Sequence, residues 1–162
     1  AIRAASATDA DPSATLSIVN DVLLRHDTDR FCTALLVRLR LVEESWTASI
    51  CTAGHPLPVL IEADGSSGVV GSPGSLLGVM PTIDTASTEI ELRAGRRLLL
   101  YTDGVTEARR EDEEYGEARL LRTAARAARG SAALVEHVLH DVLAFQQEVP
   151  RDDIALLALG RE

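Results

Sequence analysis

Leu98-Leu99-Leu100-Tyr101-Thr102-Asp103-Gly104-Val105-Thr106-Glu107-Ala108 is the stretch on which the reading of this chain turns. Its apolar run is too short for a helix of its own and stops abruptly at an aspartate and a glycine. That pattern predicts a buried strand that delivers a carboxylate to the mouth of a turn. A strand end is stiff, so a carboxylate held there can be aimed. The companion stretch is Arg151-Asp152-Asp153-Ile154-Ala155-Leu156-Leu157-Ala158-Leu159, where acids precede a second apolar run. Two strands that each carry Asp at one end can bring oxygen donors together around a hard cation. Taken singly, Asp103-Gly104 is an ordinary turn pair and Asp152-Asp153 a charged strand entry. Only together do they point to metal.

Outward from these strands, the pattern predicts α+β organisation with segregated elements. Asp11-Pro12 announces a helix, Asp as N-cap and Pro at the first helical position. Leu16, Val19 and Leu23 give it an apolar face, and Arg25 and His26 suit its C-terminal end. Residues 31–41 and 46–51 alternate as strands about a Glu43-Glu44-Ser45 turn, and 57–61 resumes after Ala53-Gly54-His55-Pro56. Asp64-Gly65-Ser66-Ser67-Gly68 has turn composition. Residues 69–81 form a loop with an apolar plug at Leu76-Leu77-Gly78-Val79, and 85–92 alternates again. About six strands in an antiparallel meander result. The acidic stretch from Asp103 to Gly116, including Glu111-Asp112-Glu113-Glu114, is expected to be irregular and solvated. Residues 118–129 are Ala/Arg-rich and helical. Ser131 is expected to cap a longer helix with the stripe Leu134, Val135, Val138, Leu139, Val142 and Leu143. His137 and His140 lie three apart on it, but with no third ligand in view they read as solvated histidines.

With 162 residues the chain is most simply one domain, 1–162, with 1–10 small, polar and expected to be flexible. Aromatics are only 3%, so the core must be built from Leu, Val, Ile and Ala. No apolar run has the length of a membrane span and no signal peptide opens the chain, so cytoplasmic residence without a membrane partner is the expectation. A formal charge of −9 argues against nucleic acid, whose phosphates need a basic face. Cys32 and Cys51, the only cysteines, read as buried reduced thiols.

Six motifs in order carry a resemblance. They are Phe31-Cys32-Thr33-Ala34, Ala53-Gly54-His55-Pro56-Leu57-Pro58, Leu77-Gly78-Val79, Tyr101-Thr102-Asp103-Gly104-Val105-Thr106-Glu107-Ala108-Arg109, Tyr115-Gly116 and Asp152-Asp153-Ile154-Ala155-Leu156-Leu157. The series resembles the bacterial stage II sporulation protein E branch of the metal-dependent, protein phosphatase 2C-like Ser/Thr phosphatases. The resemblance implies an αββα sandwich of antiparallel sheets flanked by helices, with a two-metal Mn²⁺ or Mg²⁺ centre. It also implies dephosphorylation of serine or threonine on proteins such as anti-sigma-factor antagonists. Asp103 is similar to the family's metal-binding Asp of the Asp-Gly motif, and Asp152 to the metal-binding acid of the last motif. Asp153 and Gly104 take supporting places. Gly54 and His55 read as turn or sheet-edge structure, and Arg109 as an exposed loop arginine.

One departure goes with the match. The family also has early strands with Gly-Asp and Asp-Gly motifs and a long helix, which supply further acids. Here Asp9, Asp11, Asp21, Asp27 and Asp29 read as cap, helix-surface and loop residues. The resemblance therefore covers about the C-terminal two-thirds of the family domain, missing the first strands and first long helix. A two-ion centre brings four positive charges, with the ions about 3.5–4 Å apart. Asp103 and Asp152 answer with two negative ones, so at most one weakly bound ion is expected, and little or no activity from this chain alone. The alternative is a degenerate domain that binds a partner without turnover. Sheet edges left open by missing strands are expected to be covered, for example in a homodimer.

Overall fold

The computed structural model describes residues 11–25, 31–127, 129–147 and 152–161. The expectations for 1–10 and His26 fall outside them. The chain divides into two compact units, residues 1–57 with 71–91, and residues 58–70 with 92–162.

In the first unit, helix α1 (Pro12–Arg25) starts where the Asp-Pro pair predicts. Asp11 Oδ1 accepts the Ser13 amide at 2.8 Å and the Ser87 hydroxyl at 2.6 Å, so the cap also ties down a distant loop. Strands β1 (Ala34–Val42) and β2 (Ser45–Ala53) pair antiparallel from Ala34↔Ala53 to Val42↔Ser45. The turn between them is the expected Glu43-Glu44, both with positive φ. Strand β1 begins later than expected: Phe31 is exposed and Cys32 makes only an isolated bridge to Leu77. Leu16 of α1 packs with Cys51, Ala53 and the fully buried plug residue Leu77. Asn20, also buried, fastens the plug loop, donating to Met80 O at 2.9 Å and accepting from the Gly78 amide at 2.8 Å. Both cysteines are free thiols; Cys51 is buried, which pushes its thiol up, while Cys32, expected to be buried, is only half-buried.

The expected meander breaks after β2. The chain leaves the sheet β1-β2-β5, where β5 is Thr88–Leu92, and builds a second sheet in the order β4-β3-β6-β9. Here β3 is Val59–Ile61, β4 Ser67–Val69, β6 Arg97–Tyr101 and β9 Leu156–Gly160. Ser67 and Gly68, expected as turn residues, are strand because β3 pairs them with Ile61 and Leu60. Periodicity shows which residues form strands but not which strands share a sheet.

Between β6 and β9 lie the one-turn helix α2 (Asp103–Thr106), a small hairpin of β7 (Arg109–Arg110) and β8 (Glu113–Glu114), and helices α3 (Gly116–Arg126) and α4 (Ser131–Gln146). The hairpin corrects the irregular stretch expected there. Its strands are matched by charge, Arg109 with Glu114 and Arg110 with Glu113, not by apolar alternation. The helices cover one sheet face: Val59, Ile61, Leu99 and Tyr101 pack with Leu120, Ala124, Leu134, Val138, Val142 and Phe145. Ser131 is the first helical residue, not the cap; Gly130 takes the N-cap position at φ 102. A total of nine strands among the described residues, against about six expected, reflects two-residue and three-residue pieces too short for a periodic signal.

Candidate metal centre

The site begins with register. In the second unit β6 and β9 pair antiparallel, Tyr101 opposite Leu156 and Arg97 opposite Gly160. Antiparallel pairing puts the exit of β6 beside the entry of β9, which is where the sequence has Asp103 and Asp152-Asp153. Thr102 extends the ladder beyond the last pair. Its amide donates to Ala155 O at 3.2 Å, its hydroxyl donates to Asp153 O at 2.8 Å, and that hydroxyl accepts the Ala155 amide at 2.9 Å. One threonine therefore clips the two acid-bearing turns together.

Gly104 completes the approach. A Cβ there would lie 2.6 Å from the Asp153 carbonyl oxygen and 3.4 Å from the Asp152 Cβ, so only glycine fits without moving backbone. Asp103, Asp152 and Asp153 are exposed, on a rim next to the buried Tyr101, Gly104 and Val105. Burial, helped by the charge of Glu117, lifts the Tyr101 phenol to about 12. Asp103 Oδ1 accepts the Gly104 amide at 3.1 Å and Asp152 Oδ1 the Asp153 amide at 2.7 Å. These contacts hold each carboxylate on its own turn and leave lone pairs for another partner.

Hard oxygen donors of this kind fit Mg²⁺ or Mn²⁺, which keep several waters and need few protein ligands. Among the described residues no group of three His, Cys, Asp or Glu is arranged to hold a metal. His137 and His140 are exposed on α4. His55 is half-buried in the first unit, its Nδ1 3.1 Å from the Pro56 carbonyl, while Gly54 before it has φ +65 and faces the Leu76 side chain. Arg109 is not a loose loop arginine but half of the ion pair with Glu114. Thr102 was missed by sequence reasoning. The only signal for it was a hydroxyl residue between an apolar run and Asp-Gly.

The architecture is that of PP2C-type phosphatase domains. It superposes on the PP2C phosphatase domain of the cell fate determinant SpoIIE from Bacillus subtilis, solved with a fragment of its regulatory domain, with a TM-score of 0.77 at 18% identity, covering 97% of this chain and 47% of that one. An Mn-presoaked SpoIIE phosphatase domain gives a TM-score of 0.67 at 15% identity, covering 93% and 66%. The RsbU and RsbW domains of Rv1364c from Mycobacterium tuberculosis give 0.69 at 26% identity, covering 98% and 44%. In sequence, Protein IcfG of Synechocystis is 26% identical over 115 residues, 70% of this chain but 18% of IcfG. The chain thus spans a part of each of these relatives. The chain belongs to the stage II sporulation protein E (SpoIIE) family, whose model matches residues 1–162.

Proposed function

We propose that this chain carries the metal-binding rim of a protein serine/threonine phosphatase. In this reading Asp103 and Asp152 are the metal ligands, with Gly104, Asp153 and Thr102 holding them in place. The observation that supports it is the approach of the two acid turns at Gly104, where there is no room for a Cβ against the Asp153 carbonyl and Asp152. A Mn²⁺ or Mg²⁺ ion bound there would lower the pKa of a bound water and steady phosphoryl oxygens. The residues of this chain keep both carboxylates exposed at stiff strand ends, next to the buried Tyr101 and Val105. The αββα layering implied by the resemblance, a single domain over 1–162 and cytoplasmic residence belong to the same proposal. The substrate we propose is a phosphorylated anti-sigma-factor antagonist or a similar signalling protein.

Two carboxylates balance little of the charge of two divalent ions. We therefore expect this chain by itself to hold at most one ion weakly and to turn over slowly if at all. The exposed rim carboxylates Asp103, Asp152 and Asp153, which among the described residues are not arranged as a three-ligand group, also fit a second reading, a partner-binding domain without turnover. Association of two copies through the outer edge of β1 or β9 would fit either. Calorimetric titration with Mn²⁺, beside the Asp103→Asn form, tests the ligand assignment. Saturable heat that Asp103→Asn abolishes is the expected result; equal heat from both forms overturns the site. Hydrolysis of an aryl phosphate by this chain at the rate of a complete enzyme would overturn the one-ion reading. If Mn²⁺ binds at Asp103 without any turnover, the partner-binding reading gains.

A further inference from the structure

In the first unit, helix α1 and residues 77–87 are fastened to each other at two separate places. At the helix start, the Ser87 hydroxyl donates to Asp11 Oδ1 at 2.6 Å and accepts the Ser13 amide at 3.2 Å. About 10 Å further along the helix, Asn20 engages the plug loop with both ends of its amide. Its Nδ2 donates to Met80 O at 2.9 Å and its Oδ1 accepts the Gly78 amide at 2.8 Å. Asn20 is only 1% exposed, so bonds lost there are not readily replaced by water. Between the two fastenings, Leu16, Leu77 and Ile83 pack in one apolar cluster. The loop is also closed on itself: the Ser75 amide donates to Asp84 O at 2.9 Å and the Asp84 amide to the Ser75 hydroxyl at 3.0 Å. A displacement at either fastening therefore reaches the other, through the helix on one side and the loop on the other.

The sheet beneath holds this pair differently. Leu16 and Leu77 meet Cys51 and Ala53 of β2, with Ala34 and Leu36 of β1 against the same cluster. Apolar contact of this kind is non-directional, whereas β1 and β2 are locked in register from Ala34↔Ala53 to Val42↔Ser45. An isolated bridge, Cys32 with Leu77 through two bonds of 3.1 Å, joins the loop to the approach to β1 and must break if the loop lifts. The near end of the loop is fixed. Thr52 donates its hydroxyl to Ser72 O at 2.6 Å, and Gly74 O accepts the Gly54 amide at 2.9 Å. A Cβ on Gly74 would run into the Thr52 carbonyl, so loop and β2 backbone touch there. Cys51, 1% exposed, is covered from both sides of the pair: Leu16 and Leu77 share its cluster, and the Thr85 and Ser87 side chains meet its thiol.

We infer that α1 and residues 77–87 form a single strap that opens from the sheet β1-β2-β5 as one unit, so that whatever displaces α1 also displaces the plug loop and the entry to β5. Segments that open together below the energy of global unfolding are the elements from which conformational switches are drawn. The strap does not involve the acid rim and stands or falls apart from it. The test is hydrogen exchange of the whole chain read by mass spectrometry, with site-resolved alkylation of Cys51 by iodoacetamide. In the wild type, residues 12–25, residues 77–87 and the Cys51 thiol should open together, ahead of β1 and β2. Asn20→Ala should speed all three by a common factor of about 5–30, including residues 83–87 and the start of α1, while β1 and β2 exchange as before. Ser87→Ala, a milder change at a half-buried hydroxyl, should speed the same three by about two- to tenfold and carries the test if Asn20→Ala does not fold. Loosening confined to 77–80 in Asn20→Ala, or to the first turn of α1 in Ser87→Ala, would make the fastenings independent and overturn the inference. Equal acceleration of β1 and β2, which is unfolding of the unit, or no acceleration in either variant would overturn it too.

Discussion

Asp141 and Asp103 belong to the same compact unit, and the surroundings of one invert those of the other. Asp141 Oδ2 accepts the Tyr115 hydroxyl at 2.6 Å, the Thr123 hydroxyl at 3.0 Å and Arg119 Nε at 3.4 Å. Burial works against its charge, but those three donors outweigh it and hold the carboxyl below its ordinary range. Tyr115 is pushed up by burial and by the hydrogen bond to Asp141. Its ring meets Phe145 edge-on, and Arg110 and Arg119 lie over the Phe145 face. Asp103, by contrast, is exposed at the start of the one-turn helix α2, where its Oδ1 accepts the adjacent Gly104 amide. A carboxylate whose lone pairs are filled by neighbours holds a fold together. One that the fold positions but leaves unfilled is available for chemistry.

The contrast breaks most visibly at the centre of the filled cluster. Phe145→Ala removes the ring against which Tyr115, Arg110 and Arg119 rest, and should destabilise the protein by about 3–5 kcal/mol in urea unfolding. Gly104→Ala attacks the other side. Its new Cβ meets a backbone oxygen, so strand ends must part, at a cost of about 1–3 kcal/mol. Any Mn²⁺ heat should fall with it, because the two acid turns can no longer approach. Equal Mn²⁺ affinity in wild type and Gly104→Ala would mean that the close approach serves packing only.

Much of this was legible in the sequence, and unevenly so. The strand Arg97–Tyr101, the Asp11-Pro12 helix start and the free thiols follow from short-range patterns that burial and capping enforce. Two acid-flanked strands suggest that their acid-bearing turns meet; β6 and β9 do pair in the second sheet, and the backbone at Gly104 comes close to Asp152 and Asp153. The hairpin at 109–114 was invisible because charge pairing, not apolar alternation, makes it. The Tyr115–Asp141–Thr123 cluster joins residues 8 to 26 positions apart, a tertiary fact without local signature. Thr102 escaped for the same reason: its clip is made to Asp153 and Ala155, about fifty residues away.

Asp141→Asn should cost about 1–2 kcal/mol, since it weakens charge-assisted bonds at a site only partly screened from water. The pH dependence has a fixed sign. A carboxyl held below its unfolded value of about 3.9 contributes stability that is complete above that value and is lost as pH falls through the folded one. The gap between wild type and Asp141→Asn, followed by urea unfolding, should therefore be constant at neutral pH and close below about pH 4. A gap that persists in acid would assign the loss to amide geometry instead of charge.

The smallest expected effect on stability is the most discriminating. Asp103→Asn keeps the size and an acceptor oxygen for the Gly104 amide, and it lies on an exposed turn, so metal-free unfolding should shift by no more than about 0.5 kcal/mol. Mn²⁺ should change that. Added metal stabilises only the form that binds it, so the wild-type melting temperature should rise with Mn²⁺ concentration while that of Asp103→Asn stays flat. Asp141→Asn, starting lower, should rise in parallel with wild type, because its carboxylate is already committed to Tyr115, Thr123 and Arg119. A costly Asp103→Asn in metal-free buffer would make Asp103 a second structural carboxylate and remove the distinction between the two. A rise in Asp103→Asn as steep as in wild type would place the ion elsewhere and leave the rim as packing alone.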